Sequence, residues 1–79
     1  MTKEAINQKV LTVIREQGYD DIGVTVESSL RDDLGVDSIG LMAVIIALED
    51  AFEMTIPDED IDRLITMGDL LTYLEHKIG

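Results

Sequence analysis

Seventy-nine residues carry 6 basic and 17 acidic side chains, giving a net charge of −11 with the single histidine neutral. That length holds one small domain, residues 1–79, and an apolar fraction of 46% is too high for a disordered acidic tail. Cysteine is absent, which excludes a disulfide framework, a thiolate metal site and a cysteine nucleophile.

Residues 3–17 read as the first helix, because Ile6, Val10, Val13 and Ile14 recur on one face of a 3.6-residue period. Gly18 supplies its stop. A long connection follows over 18–36, with Val24, Val26, Leu30 and Leu34 spaced to pack down on the helices. Val24-Thr25-Val26 alternates like a strand, yet nothing else in the chain is expected to pair with it, so an ordered loop is expected, with a helical turn near Leu30–Asp33. The second helix is predicted from Ser38 to Phe52, capped by Asp37, with Val36 and Leu41 as a hydrophobic staple. Pro57 opens a short helix over Asp58–Leu64 whose acids lie at the favourable dipole end. Thr66 and Asp69 form a capping box for the last helix, with Ile65 and Leu70 as its staple. Met67, Leu70, Leu71, Leu74 and Ile78 make the apolar stripe of that helix. The expected fold is all-α: a four-helix bundle with three long helices, one short, and a long first loop.

Charge is unevenly spread. Between Arg31 and Arg63 lie ten acids and no base. Glu49, Asp50 and Glu53 fall at the end of the second helix, where the macrodipole disfavours them. So acidic a surface repels nucleic acid and anionic lipid and suits basic protein partners. The longest uncharged apolar run, Ile39 to Leu48, spans ten residues, half of the roughly twenty that a membrane crossing needs. Lys3 and Glu4 follow Met1 without an apolar leader, and a small fold without disulfides suits the cytoplasm; a free-standing monomer is also expected.

Catalysis finds little support. His76 stands alone near the end of the last helix and reads as a solvated side chain. Asp58, Asp60, Asp62 and Asp69 imitate calcium-loop spacing, but Arg63 occupies the position that needs glycine, and Asp69 replaces the bidentate Glu. No specific metal site is expected, only weak divalent binding. Ser38 is the strongest candidate. It follows the Asp37 cap, where a side chain reaches solvent and a phosphate group meets free N–H donors.

The run Asp33-Leu34-Gly35-Val36-Asp37-Ser38-Ile39 resembles the phosphopantetheine attachment motif of acyl carrier proteins, commonly Asp-Leu-Gly-x-Asp-Ser-Leu. The resemblance continues through Ala47 to Glu53, Ile56 to Asp60 and Thr66 to Asp69, covering nearly the whole chain. It implies the family's four-helix bundle and a carrier with no catalytic activity of its own. It also implies that a phosphopantetheinyl transferase moves 4′-phosphopantetheine from coenzyme A onto Ser38, with Asp37 serving as cap and transferase recognition. The thiol of that group would carry acyl intermediates as thioesters to acyl-loading, condensing and acyl-transfer enzymes of fatty-acid, polyketide or related specialised biosynthesis. Two alternatives stand beside it: an aminoacyl or peptidyl carrier, and an acidic helical interaction domain in which Ser38 is only a cap.

One departure bears on partners. Fatty-acid carriers usually place acids two and five residues after the serine, where this chain has Gly40 and Ala43. Leu41, Met42, Val44, Ile45 and Ile46 cannot all face one core, so some of Leu41, Val44 and Ile45 are expected on the surface, the alternative being an acyl-chain cavity between the helices that absorbs them. The expected partner surface is therefore Leu41, Met42, Val44, Ile45, Glu49, Asp50, Glu53 and Ile61. Gly40 is expected to loosen the first turn by about 1 kcal/mol relative to Ala.

Overall fold

The computed structural model describes residues 2–78, so Met1 and Gly79, the ends of the expected 1–79 domain, lie outside it. It is all-helical, with elements in the order α1 (Lys3–Glu16), α2 (Ser38–Phe52), α3 (Asp58–Ile61) and α4 (Met67–Ile78). Helix α1 starts where the Thr2 hydroxyl accepts from the Ala5 amide at 3.1 Å. Its predicted stripe of Ile6, Val10, Val13 and Ile14 is the buried face. The helix ends one residue earlier than expected, with Gln17 as cap. Gly18 then takes φ 92°, a region that a residue without Cβ enters freely. The Gly18 amide donates to Arg15 O at 3.0 Å and the Tyr19 amide to Ile14 O at 3.1 Å. Those two bonds are a Schellman termination, and they fix the direction in which Tyr19 leaves the helix.

The long connection holds its backbone by its own hydrogen bonds. Asp33 N donates to Ser29 O at 2.9 Å, forming the predicted turn over Leu30–Asp33, while Asp33 Oδ2 accepts from Ser29 N at 2.6 Å. Leu30 and Val36 are buried and Val24 and Leu34 pack against the core, but Val26, expected with them, is exposed. No strand forms among the described residues, but the expectation that this loop has no pairing partner is wrong. The run-up to α4 pairs with it: Leu30 N donates to Ile65 O (3.0 Å), Met67 N to Ser28 O (2.9 Å) and Gly68 N to Val26 O (2.8 Å), around a Ser29–Thr66 bridge. Each partner here is too short for a strand signal, so only closure of the fold reveals the pairing.

Helix α3 is shorter than the predicted Asp58–Leu64. Beyond Ile61, Arg63 N donates to Asp60 O at 3.1 Å and Leu64 N to Ile61 O at 3.0 Å, tighter turns that bring Leu64 into the core. At α4 the capping box is reciprocal: Asp69 N donates to Thr66 Oγ1 at 3.1 Å, and Thr66 N to Asp69 Oδ2 at 3.1 Å. The accompanying staple is not made. Leu70 is buried, but Ile65 points to solvent because its carbonyl pairs with the loop. Helix α1 packs against both α2 and α4, around Val10, Leu48 and Leu74, none of which exposes measurable surface. Tyr73 of α4 donates its hydroxyl to Asp60 Oδ2 of α3 at 2.7 Å, tying the short helix to the bundle.

Candidate functional site at the start of the second helix

Everything at this site follows from where α2 begins. Asp37 holds an extended backbone, and its Oδ1 accepts from Gly40 N at 2.6 Å. Leu41 N donates to Asp37 O at 2.7 Å, closing the first helical turn. The cap satisfies one first-turn donor and leaves the Ser38 and Ile39 amides at the open helix end. Ser38 is exposed, and the Asp37 cap is the one carboxylate that meets the positive end of the macrodipole, since the first turn itself holds no acid. A solvent-facing hydroxyl and free N–H groups meet here at a helix N-terminus. That combination fits a covalently attached phosphate group.

A cavity of about 370 Å³ opens beside this turn, between α2, α3 and the long loop. Val36, Leu41, Ile61 and Leu64 form its apolar wall, and Asp37 stands on its rim. The rest of its lining is polar or charged, with Ser29, Arg31, Asp32 and Asp62 around that wall.

Several expected partner residues lie elsewhere. Val44 and Ile45 are each only 2% exposed and belong to the core, so neither offers a docking contact. Ile61 is also buried, facing the cavity and not a partner. Leu41 is half-buried on the cavity wall. Glu49 is half-buried too, and its Oε2 accepts from Ile56 N at 2.8 Å, which makes it a brace for the α2–α3 connection. Met42, Asp50 and Glu53 are exposed as expected.

What projects outward instead is Ile39 (83% exposed), Met42 and Ile46, spaced three and four residues apart along one face. Periodicity offered no means of choosing this face, because Ile39 to Leu48 is apolar nearly throughout. Gly40 has a role the sequence concealed: the Tyr19 hydroxyl fills the space a Cβ there would need. The turn described as loose is covered by an aromatic ring. Two of the four decoy calcium ligands are otherwise occupied, Asp60 by Tyr73 and Asp69 by the α4 cap. Among the described residues no cluster of three or more His, Asp or Glu could hold a metal ion, and His76 is exposed in the last turn of α4.

Comparison with known proteins agrees with this geometry. The family described as "Phosphopantetheine attachment site" matches residues 8–74. The chain is 44% identical to an acyl carrier protein of Exiguobacterium sp., over 99% of this chain and 100% of the relative. An acyl carrier protein of Bdellovibrio bacteriovorus is 45% identical over 92% of this chain and 95% of its own. That of Exiguobacterium sibiricum is 40% identical over 99% and 100%.

Proposed function

This chain belongs to the acyl carrier protein family, the carriers of phosphopantetheine, and on that premise we propose that Ser38 is its attachment residue. The observation that carries the proposal is the exposed Ser38 in the first turn of α2, beside a cavity with an apolar wall. Attached there, 4′-phosphopantetheine supplies a thiol that holds acyl groups as thioesters, chemistry the cysteine-free chain lacks.

The chain's own residues do three things. Asp37 pins the first turn through Gly40 N and keeps Ser38 facing solvent. The Ser38 and Ile39 amides, with the helix dipole, stabilise negative charge on the attached phosphate. Val36, Leu41, Ile61 and Leu64 shelter an apolar cargo from water. Partner enzymes meet Ile39, Met42 and Ile46 as an apolar strip, and their basic side chains meet Asp37, Asp50 and Glu53 around it. The strip, uncharged from Ser38 to Leu48, favours clients of a specialised acyl pathway over those that read a continuous acidic helix.

Intact mass after incubation with coenzyme A and a broad-specificity phosphopantetheinyl transferase tests the attachment. A phosphopantetheine-sized increment, abolished by Ser38→Ala, is the expected result. An unmodified parent protein, or an increment that survives the substitution, overturns the assignment.

A further inference from the structure

Helix α3 is a single turn, Asp58–Ile61, and no side chain caps its start. A turn that short has no stability of its own, so its surroundings decide where it sits. Charge works against it: four of the five residues from Asp58 to Asp62 are acidic, in a chain of net charge −11. Its flanks are anchored. Before it, the Ile56 amide donates to Glu49 Oε2 at 2.8 Å; after it, Ile65 O accepts from the Leu30 amide at 3.0 Å. Between those anchors, among the described residues, one hydrogen bond joins the segment to another element, from the Tyr73 hydroxyl to Asp60 Oδ2 at 2.7 Å. Tyr73 is itself held, its ring packed against the core with Lys77 Nζ 5.5 Å from the centroid.

Ile61, the residue after Asp60, lines the cavity beside the first turn of α2, and Leu64 lines it further along. The other walls are better secured. Helix α2 packs on α1, and the long loop is pinned by its three backbone bonds to the run-up to α4. The cavity, at about 370 Å³, is near the lower end of the roughly 300–1,000 Å³ that small-molecule pockets span. A long chain therefore enters only if a wall gives way, and α3 is the wall with the fewest ties. We propose that Tyr73 is a positioning residue that sets cargo size: by holding Asp60 it keeps Ile61 seated and restricts the cavity to short acyl groups. This rests on Ser38 being the attachment residue and on the cavity sheltering its cargo. Tyr73 is not among the residues lining that cavity, so it acts through α3 and not by touching the cargo.

The test loads the full chain from butyryl- or decanoyl-coenzyme A with a broad-specificity transferase. Thioester cleavage by hydroxylamine is then followed by intact mass, well below Tm, against the same thioesters on coenzyme A. The parent is expected to shield butyryl more than decanoyl. Tyr73→Phe keeps the ring and is expected to lower the decanoyl-to-butyryl rate ratio about fivefold. Asp60→Ala should do the same and the double variant no more, while Asp60→Asn, which keeps an acceptor oxygen, should retain the parent's ratio. A parent that shields both thioesters equally, or a ratio unchanged in Tyr73→Phe, overturns the inference. So does a parallel rise in both rates, which marks general loosening of the fold, and so does a lowered ratio in Asp60→Asn. A parent that loads but shields neither thioester removes the cavity from cargo binding, and this inference with it. One that never loads overturns the attachment reading itself, so the two failures are told apart by mass.

Discussion

At the scale of single residues, two tyrosines show how one oxygen atom sets local behaviour. Gly40 is among the poorest helix formers, and Ala there should gain about 1 kcal/mol from propensity alone. The Tyr19 hydroxyl stands where the new methyl would go, and Asp37 Oδ1 and Tyr19 Cζ would lie only 3.1 and 3.2 Å from it, so removing the hydroxyl relieves the worst of the clash and not all of it. In a double-mutant cycle followed by urea unfolding, Gly40→Ala is expected to cost less stability in the Tyr19→Phe protein than in the parent. Tyr73 gives a pH signature. Burial, then its hydrogen bond to the Asp60 carboxylate and that group's charge, push its phenol up from 10.0 to about 12. The folded state thus holds this proton more tightly than the unfolded chain does. Its contribution to stability is complete below pH 10.0 and is lost as pH rises toward about 12. Tyr73→Phe should flatten that part of the alkaline stability profile; an identical profile in the variant would count against the Asp60 bond.

At the scale of elements, helix ends were the most legible features and helix faces the least. Asp37, Thr66 and Asp69 were readable as caps because capping is local chemistry between residues three apart, and each makes its expected bond. The face of α2 was not readable. A run apolar on all sides carries no periodic contrast, and the packing of α1 selected Val44, Ile45 and Leu48 for burial. The α2–α3 connection hides two further roles. Glu49 accepts the Ile56 amide, so Glu49→Ala should cost about 1 to 3 kcal/mol in urea unfolding by leaving that half-buried donor unpaired. Glu53 ends α2 in the left-handed region at φ 53°, ψ 51°, unusual for a residue with a side chain, and places an acid at the negative end of the dipole. Glu53→Gly relieves both and is expected to stabilise the fold by about 1 kcal/mol, while weakening delivery to a basic partner.

For the whole molecule, charge is the dominant global term. Against a net charge of −11, the described residues hold one ion pair, Arg15–Asp21 at 3.4 Å, and it is exposed on the arginine side. Self-repulsion is therefore largely unrelieved, and added salt should raise Tm by screening it. A Tm unaffected by ionic strength would contradict that balance. No helix among the described residues is long and apolar enough to cross a membrane. The order of helices, their caps, the exposed Ser38 and the resemblance carried by its flanking residues were all fixed within short stretches of chain, where neighbours dictate conformation. Which face of α2 meets solvent, which segment pairs with the long loop, and why Gly40 lacks a side chain depend on residues 20 to 40 positions apart. Such contacts exist only after the chain closes on itself, when packing and steric exclusion override a pattern that local sequence leaves ambiguous.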